Sequence, residues 1–261
     1  MTTVVPVAFG VLGLLVGSFL NVVIHRVPAG LSLVSPGSAC PACAHPVRPR
    51  DNVPVLSWLV LHGRCRDCHA PIAARYPLVE LTTAVLFATL GWRFGSTPYA
   101  AAALVVAAAG VALFMIDLDH RRLPFEITTA MAVGTVIALG VDAARHGPDP
   151  VAPALLGAAL WLAVYGGIWL ATAGRGMGLG DVALAPVLGL ALGWLGWGPA
   201  LVGLGAGFVV GSVVGVGLLL TGRARMGGPV PHGPFLLSGA AIGMLAGGPL
   251  AAAYLRLVGL G

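Results

Sequence analysis

Lysine is absent from this chain, and charge of either sign is scarce: only 9% of its 261 residues are Asp, Glu, Lys or Arg. A soluble domain carries roughly 25% charged residues. A chain that is 58% hydrophobic, with a mean hydropathy of +0.95, cannot cover its own surface with polar groups. That excludes an ordinary water-soluble globule and makes membrane lipid the natural solvent. The net charge of +5 comes from 14 arginines against nine acids. These arginines stand at the ends of apolar runs, where they read as topology signals and not as a phosphate-binding groove. No nucleic-acid partner is expected. The start, Met1-Thr2-Thr3-Val4-Val5-Pro6, lacks the positive n-region and small-residue cleavage site of a signal peptide. The first apolar run is therefore expected to be a retained membrane helix. No solenoid repeat, nucleotide-binding loop, serine triad or catalytic-zinc motif is visible. Glycine, by contrast, is abundant at 39 residues, and small residues let membrane helices approach closely.

Spanning a bilayer needs ~20 mostly apolar residues. Eight runs qualify, near 4–24, 77–95, 98–116, 125–142, 150–173, 181–197, 198–220 and 233–255. Only Gly-Trp-Gly-Pro separates the sixth from the seventh. The expected fold is all-α, a polytopic bundle of about eight transmembrane helices. With the N-terminus outside, Arg26, Arg48, Arg50, Arg64, Arg66, Arg75, Arg121, Arg122, Arg175, Arg223 and Arg225 fall inside, and only Arg93, Arg145 and Arg256 fall outside. This is a strong positive-inside bias. Residues 25–76 break the pattern, being rich in Pro, Cys, Arg and His. They read as a small cytoplasmic domain between the first helix, 1–24, and a membrane domain, 77–261.

All four cysteines lie in that insert, as two C-x-x-C pairs, Cys40 with Cys43 and Cys65 with Cys68. Four thiolates suit a closed tetrahedral zinc site. A domain this small has a limited core, so a bound metal would contribute folding energy directly. Disulfides are the alternative, but they require an oxidising compartment and hence the opposite topology. His45, His62 and His69 are nearby spare ligands that read as surface residues.

Acids in apolar segments are expensive and therefore informative. Asp51 and Asp67 sit in the insert. Asp142 and Asp149 read as solvated residues of an outside loop. Asp117, Asp119, Glu126 and Asp181 gather at cytoplasmic helix ends, and Glu80 lies one turn inside the second helix. Asp117 ends the third helix, and Asp181 opens the sixth after Gly176-Met177-Gly178-Leu179-Gly180. The topology puts both at one depth on one side. Two carboxylates brought together there cannot both ionise cheaply; one keeps a proton, and the pair can activate a water and protonate a leaving amine. Taken singly, Asp181 also reads as a helix N-cap, and Asp117 or Asp119 as a helix-end partner of Arg121 or Arg122.

Several ordered stretches resemble the bacterial prepilin peptidase family, the leader peptidases and N-methyltransferases of type IV pilus and type II secretion systems. They are Gly17-Ser18-Phe19-Leu20-Asn21 through His25-Arg26-Val27-Pro28, the two cysteine pairs, Asn52-Val53-Pro54, Ser57-Trp58-Leu59, Arg75-Tyr76-Pro77-Leu78-Val79-Glu80, Ile116-Asp117-Leu118-Asp119, Gly178-Leu179-Gly180-Asp181, and Val230-Pro231-His232-Gly233-Pro234-Phe235-Leu236. The resemblance implies catalytic roles for Asp117 and Asp181, with Asp117 chosen over Asp119 by its distance to Pro124, and makes 77–261 the peptidase domain. It implies an enzyme of the bacterial inner membrane with its active site at the cytoplasmic face. Its substrates would be prepilins and pseudopilins with Gly before the cut and commonly Phe after it, and S-adenosylmethionine would be the methyl donor. Two positions depart from the family pattern: Phe125 and Glu126 follow Pro124 where Asp is usual, and Ala183 stands where a basic residue is usual. A proton-coupled transporter would instead carry its acids near mid-membrane. A non-catalytic zinc-bearing scaffold would tolerate loss of both aspartates, and the cysteine insert argues against an intramembrane protease of broader substrate range.

Overall fold

The computed structural model describes residues 3–222 and 231–259. Arg223, Arg225 and Val230, which entered the topology and motif arguments above, lie outside the described residues. Among these residues the chain is all-α, without a strand, and divides into two compact units, Met1–Ser96 and Thr97–Gly261.

In the first unit, α1 (Val4–Arg26) packs lengthwise against α3 (Arg75–Phe94). Two glycines permit the approach: a Cβ on Gly13 would lie 2.6 Å from the Ala84 Cα, and one on Gly17 would lie 2.7 Å from the Glu80 Cα. The insert between these helices contains the short helix α2 (Leu56–Val60). Glu80 is buried, and its Oε2 accepts a hydrogen bond from the Val55 N–H at 2.7 Å. The acid inside the second long helix thus ties the insert to the hairpin that carries it.

The second unit runs α4 (Pro98–His120), α5 (Phe125–His146), α6 (Val151–Ala171), α7 (Leu179–Trp194), α8 (Trp197–Leu220) and α9 (Gly233–Leu257). Its core is α7, which buries Leu184, Ala185, Val187, Leu188, Ala191 and Leu192. Glycine again sets the closest contacts. A Cβ on Gly189 would lie 2.5 Å from the Gly157 carbonyl oxygen, and one on Gly239 would lie 2.5 Å from that of Gly203. Gly196, at φ +111°, makes the turn between α7 and α8, so the weakest break in the apolar pattern is a real one.

Six helices among the described residues are long and apolar enough to cross a membrane, which makes the chain a multi-pass membrane protein. This is slightly fewer than the about eight expected, and α3 and α7 are the two that fall short of that length and apolarity. In α3 the apolar run is diluted by Arg75, Glu80 and Arg93. At 16 residues, α7 is about 24 Å long, less than the ~30 Å hydrocarbon layer.

Because neighbouring helices alternate in direction, the C-terminus of α4 and the N-termini of α5, α7 and α9 share one end of the unit. At the other end Asp142 departs from the expected solvated loop residue. It lies within α5 at 9% exposure, accepting from the Trp194 Nε1–H of α7 at 2.8 Å and pairing with His146 Nδ1 at 2.8 Å. The indole comes from 52 residues away, so a short-range reading of the sequence cannot anticipate it. Asp149 is exposed, as expected. The close glycine contacts lead to a direct test. Gly189→Val should destabilise the protein by ~1–3 kcal/mol through overpacking, whereas Gly217→Val, with open space around its Cβ position, should melt like the parent. Equal melting of the two variants in lipid or detergent would contradict the packing described.

Candidate active site

Asp117 lies one turn before the end of α4, because the helix runs on to His120. This places the carboxylate inside the bundle, at 4% exposure, while Asp119 is exposed. The Asp117 Oδ2 accepts the Gly233 N–H at 3.0 Å, the first residue of α9. A helix N-terminus presents unpaired N–H groups and a partial positive charge, so Asp117 acts as a cap supplied from 116 residues away. Glycine at 233 leaves room for this contact, since a Cβ there would stand 2.8 Å from that same oxygen and push the carboxylate aside.

Asp181 occupies the first turn of α7 and is 7% exposed. Asp181 is not the N-cap weighed in the sequence: Gly178 holds that position, and the Asp181 Oδ2 reaches back from the third helical residue to accept the Gly178 N–H at 3.1 Å. The other oxygen, Oδ1, is buried with no hydrogen-bond partner among the described residues. Leu123, on the link from α4 to α5, is the wedge between the segments. A Cβ on Gly180 would meet its Cβ at 2.8 Å, and one on Gly233 would meet its Cδ2 at 3.1 Å. The structure therefore gathers Asp117, Asp181 and the glycines beside them at one end of the second unit. Glu126 is exposed, and Ala183 is half-buried.

Two aromatic residues at this end had no assigned role in the sequence. Tyr165 of α6 is fully buried, stacked on Phe208 at 5.5 Å, with its ring 5.9 Å from that of His232. Nothing in the apolar stretch around Tyr165 marks its hydroxyl as functional. The only signal available is a hydroxyl-bearing ring within a run that lipid and other helices must cover.

In the first unit, Cys40, Cys43, Cys65 and Cys68 are free thiols whose sulfurs all lie within 4.8 Å of one another. A tetrahedral site with Zn–S of ~2.3 Å separates its sulfurs by about 3.8 Å, and the Cys40 and Cys68 sulfurs are 3.8 Å apart. Donor set and spacing both fit, so the cluster could bind zinc. Each cysteine pair sits in the same turn: the Cys40 N–H donates to His45 O and the Cys65 N–H to Ala70 O, while Ala44 and His69 both take φ +58°. Two ion pairs cross between the halves, Arg48 with Asp67 at 2.7 Å and Arg66 with Asp51 at 2.6 Å. The Arg66 guanidinium holds the Asp51 carboxyl below its ordinary range, and the Cys43 and Ala42 N–H groups hold the Cys40 thiol at about 7. His45, His62 and His69 are exposed and outside the sulfur cluster.

Comparison with known proteins parallels this division. A profile described as the Bacterial Peptidase A24 N-terminal domain matches residues 11–94, and one described as the Type IV leader peptidase family matches residues 103–228. A prepilin leader peptidase/N-methyltransferase of Pseudomonas aeruginosa is 37% identical, the alignment covering 95% of this chain and 92% of the relative. The protein of that name from Aeromonas hydrophila is 36% identical, over 93% and 91%. The one from Myxococcus xanthus is 46% identical, over 82% of this chain and 63% of its own length. No solved structure matches. With identity at this level running through both units, the chain belongs to the type IV leader peptidase family.

Proposed function

We propose that this protein hydrolyses the bond between the leader and the hydrophobic helix of type IV prepilins and pseudopilins, and then methylates the new amino terminus. One observation carries the reading: Asp117 and Asp181 are buried together, each with one oxygen held by a backbone N–H, in a chain similar along its length to prepilin leader peptidase/N-methyltransferases.

The chemistry follows from two carboxyl groups sharing one proton. The ionised carboxylate takes a proton from water as the water oxygen attacks the scissile carbonyl carbon. The protonated partner hydrogen-bonds the carbonyl oxygen. Collapse breaks the C–N bond, and a proton passes to the leaving amine. The backbone donors at Gly178 and Gly233 keep the two side chains from swinging away during these transfers. S-adenosylmethionine would supply the methyl group for the second reaction. Cys40, Cys43, Cys65 and Cys68 would hold a structural zinc ion that offsets their charge and ties the two turns of the insert together. The arginine distribution supports an N-terminus outside and a dyad at the cytoplasmic face of the inner membrane, where water is available and the substrate helix remains in lipid.

Three outcomes are expected. Asp117→Asn and Asp181→Asn should each abolish leader removal at matched membrane abundance, while Asp119→Asn retains activity; normal processing by either of the first two would sink the assignment. Purified, unchelated protein should contain one zinc per chain, and replacing one of the four cysteines should release it; metal analysis finding none would overturn the ligand set. Because the cysteines and the aspartates belong to different compact units, a Cys40→Ser, Cys43→Ser double variant should lose methylation more than cleavage when one prepilin sample is scored for both. Equal loss, with the membrane helices still folded, would make the insert part of the peptidase.

A further inference from the structure

Asp181 Oδ1, the Tyr165 hydroxyl and His232 Nε2 are three buried polar atoms with no hydrogen-bond partner among the described residues. A buried polar group without a partner is costly, and three at one place require a common explanation. They belong to one cluster. The rings of Tyr165 and His232 are 5.9 Å apart, and His232 immediately precedes the Gly233 N–H that holds Asp117. A Cβ on Gly166, next to Tyr165, would meet the side chain of Val182, next to Asp181, at 3.9 Å, and Leu123 stands against both Gly180 and Gly233, the neighbours of Asp181 and His232. The surrounding walls are aromatic. Trp161 and Phe208 lie against Tyr165, and Phe208 and Phe235 against His232. The Trp161 indole N–H is already committed to Ala200 O at 3.1 Å.

A buried water typically makes about three hydrogen bonds to otherwise unsatisfied groups. Here there is one atom that only accepts when ionised, one hydroxyl that both donates and accepts, and one ring nitrogen that does either according to tautomer. We infer that a single water joins Asp181 Oδ1, Tyr165 and His232, making Tyr165 and His232 positioning residues for the catalytic carboxylate. The inference rests on the peptidase reading of Asp181. With Oδ2 fixed by Gly178 and Oδ1 by this water, the carboxylate plane is locked in rotation and keeps its remaining lone pairs directed at the reacting water. Loss of one arm frees the rotation. This slows the chemical step without touching the groups that bind substrate.

The test uses full-length protein in lipid, with one prepilin, comparing the parent, Tyr165→Phe, His232→Phe and the double variant. Each substitution keeps a ring in the aromatic cluster and removes only the polar atom. Each single variant should lower kcat for cleavage by about ten- to hundredfold, the scale of losing a hydrogen bond to a charged group, with KM and melting temperature unchanged. The double variant should be no slower than the slower single, because both arms act through one water. Parental kcat in both singles, a change confined to KM, a fall in melting temperature parallel to kcat, or multiplicative losses in the double would each overturn the inference. Asp181→Asn in the same series separates the two claims. Its being active would refute the dyad itself, whereas an inactive Asp181→Asn beside a fully active Tyr165→Phe and His232→Phe would refute only the positioning role.

Discussion

A carboxylate placed inside an apolar helix bundle is costly unless something donates to it, and Asp117 is donated to by the Gly233 N–H of α9. That hydrogen bond constrains much of the surrounding structure. It requires the end of α4 and the start of α9 to meet, which requires alternating helices between them. It is helped by glycine at 233, because a Cβ would displace the carboxylate. It also draws in Leu123, against which Gly180 brings the first turn of α7, and with it Asp181, to the same place. The two carboxylates are thus brought to one place by backbone donors and small residues.

The two units address different problems. In the second, helix contacts made through Gly157, Gly189, Gly203 and Gly239 bring backbones nearly into touch, giving close packing where hydrophobic burial in lipid supplies little drive. In the first, the insert has almost no apolar core of its own. It is organised by four sulfurs, two crossed ion pairs and the Glu80 carboxylate that holds Val55. A water-exposed module of this size is the kind that needs a metal.

Much of this was legible in the sequence because it is local. Long apolar runs mark the helices, and C-x-x-C pairs mark the sulfur cluster. The ordered motifs locate both aspartates. The alternation of apolar runs is enough to place Asp117 and Asp181 at one end. What could not be read depends on partners far along the chain. Asp142 resembles a solvated helix end until Trp194 of α7 reaches it. The shortness of α7 depends on where its first turn is capped, at Gly178, a feature hydropathy does not register. Tyr165 and His232 lie far apart in the chain, and only the packing of α6 against the start of α9 brings their rings to 5.9 Å.

The central claim is that this chain alone removes a prepilin leader and methylates the product. The most direct measurement is co-expression with a type IV prepilin in a host that has no such enzyme, followed by intact mass analysis of the pilin. The account predicts a pilin lacking its leader and carrying the added mass of one methyl group at its new amino terminus. A pilin that keeps its leader, in the presence of folded, membrane-inserted protein, would contradict it.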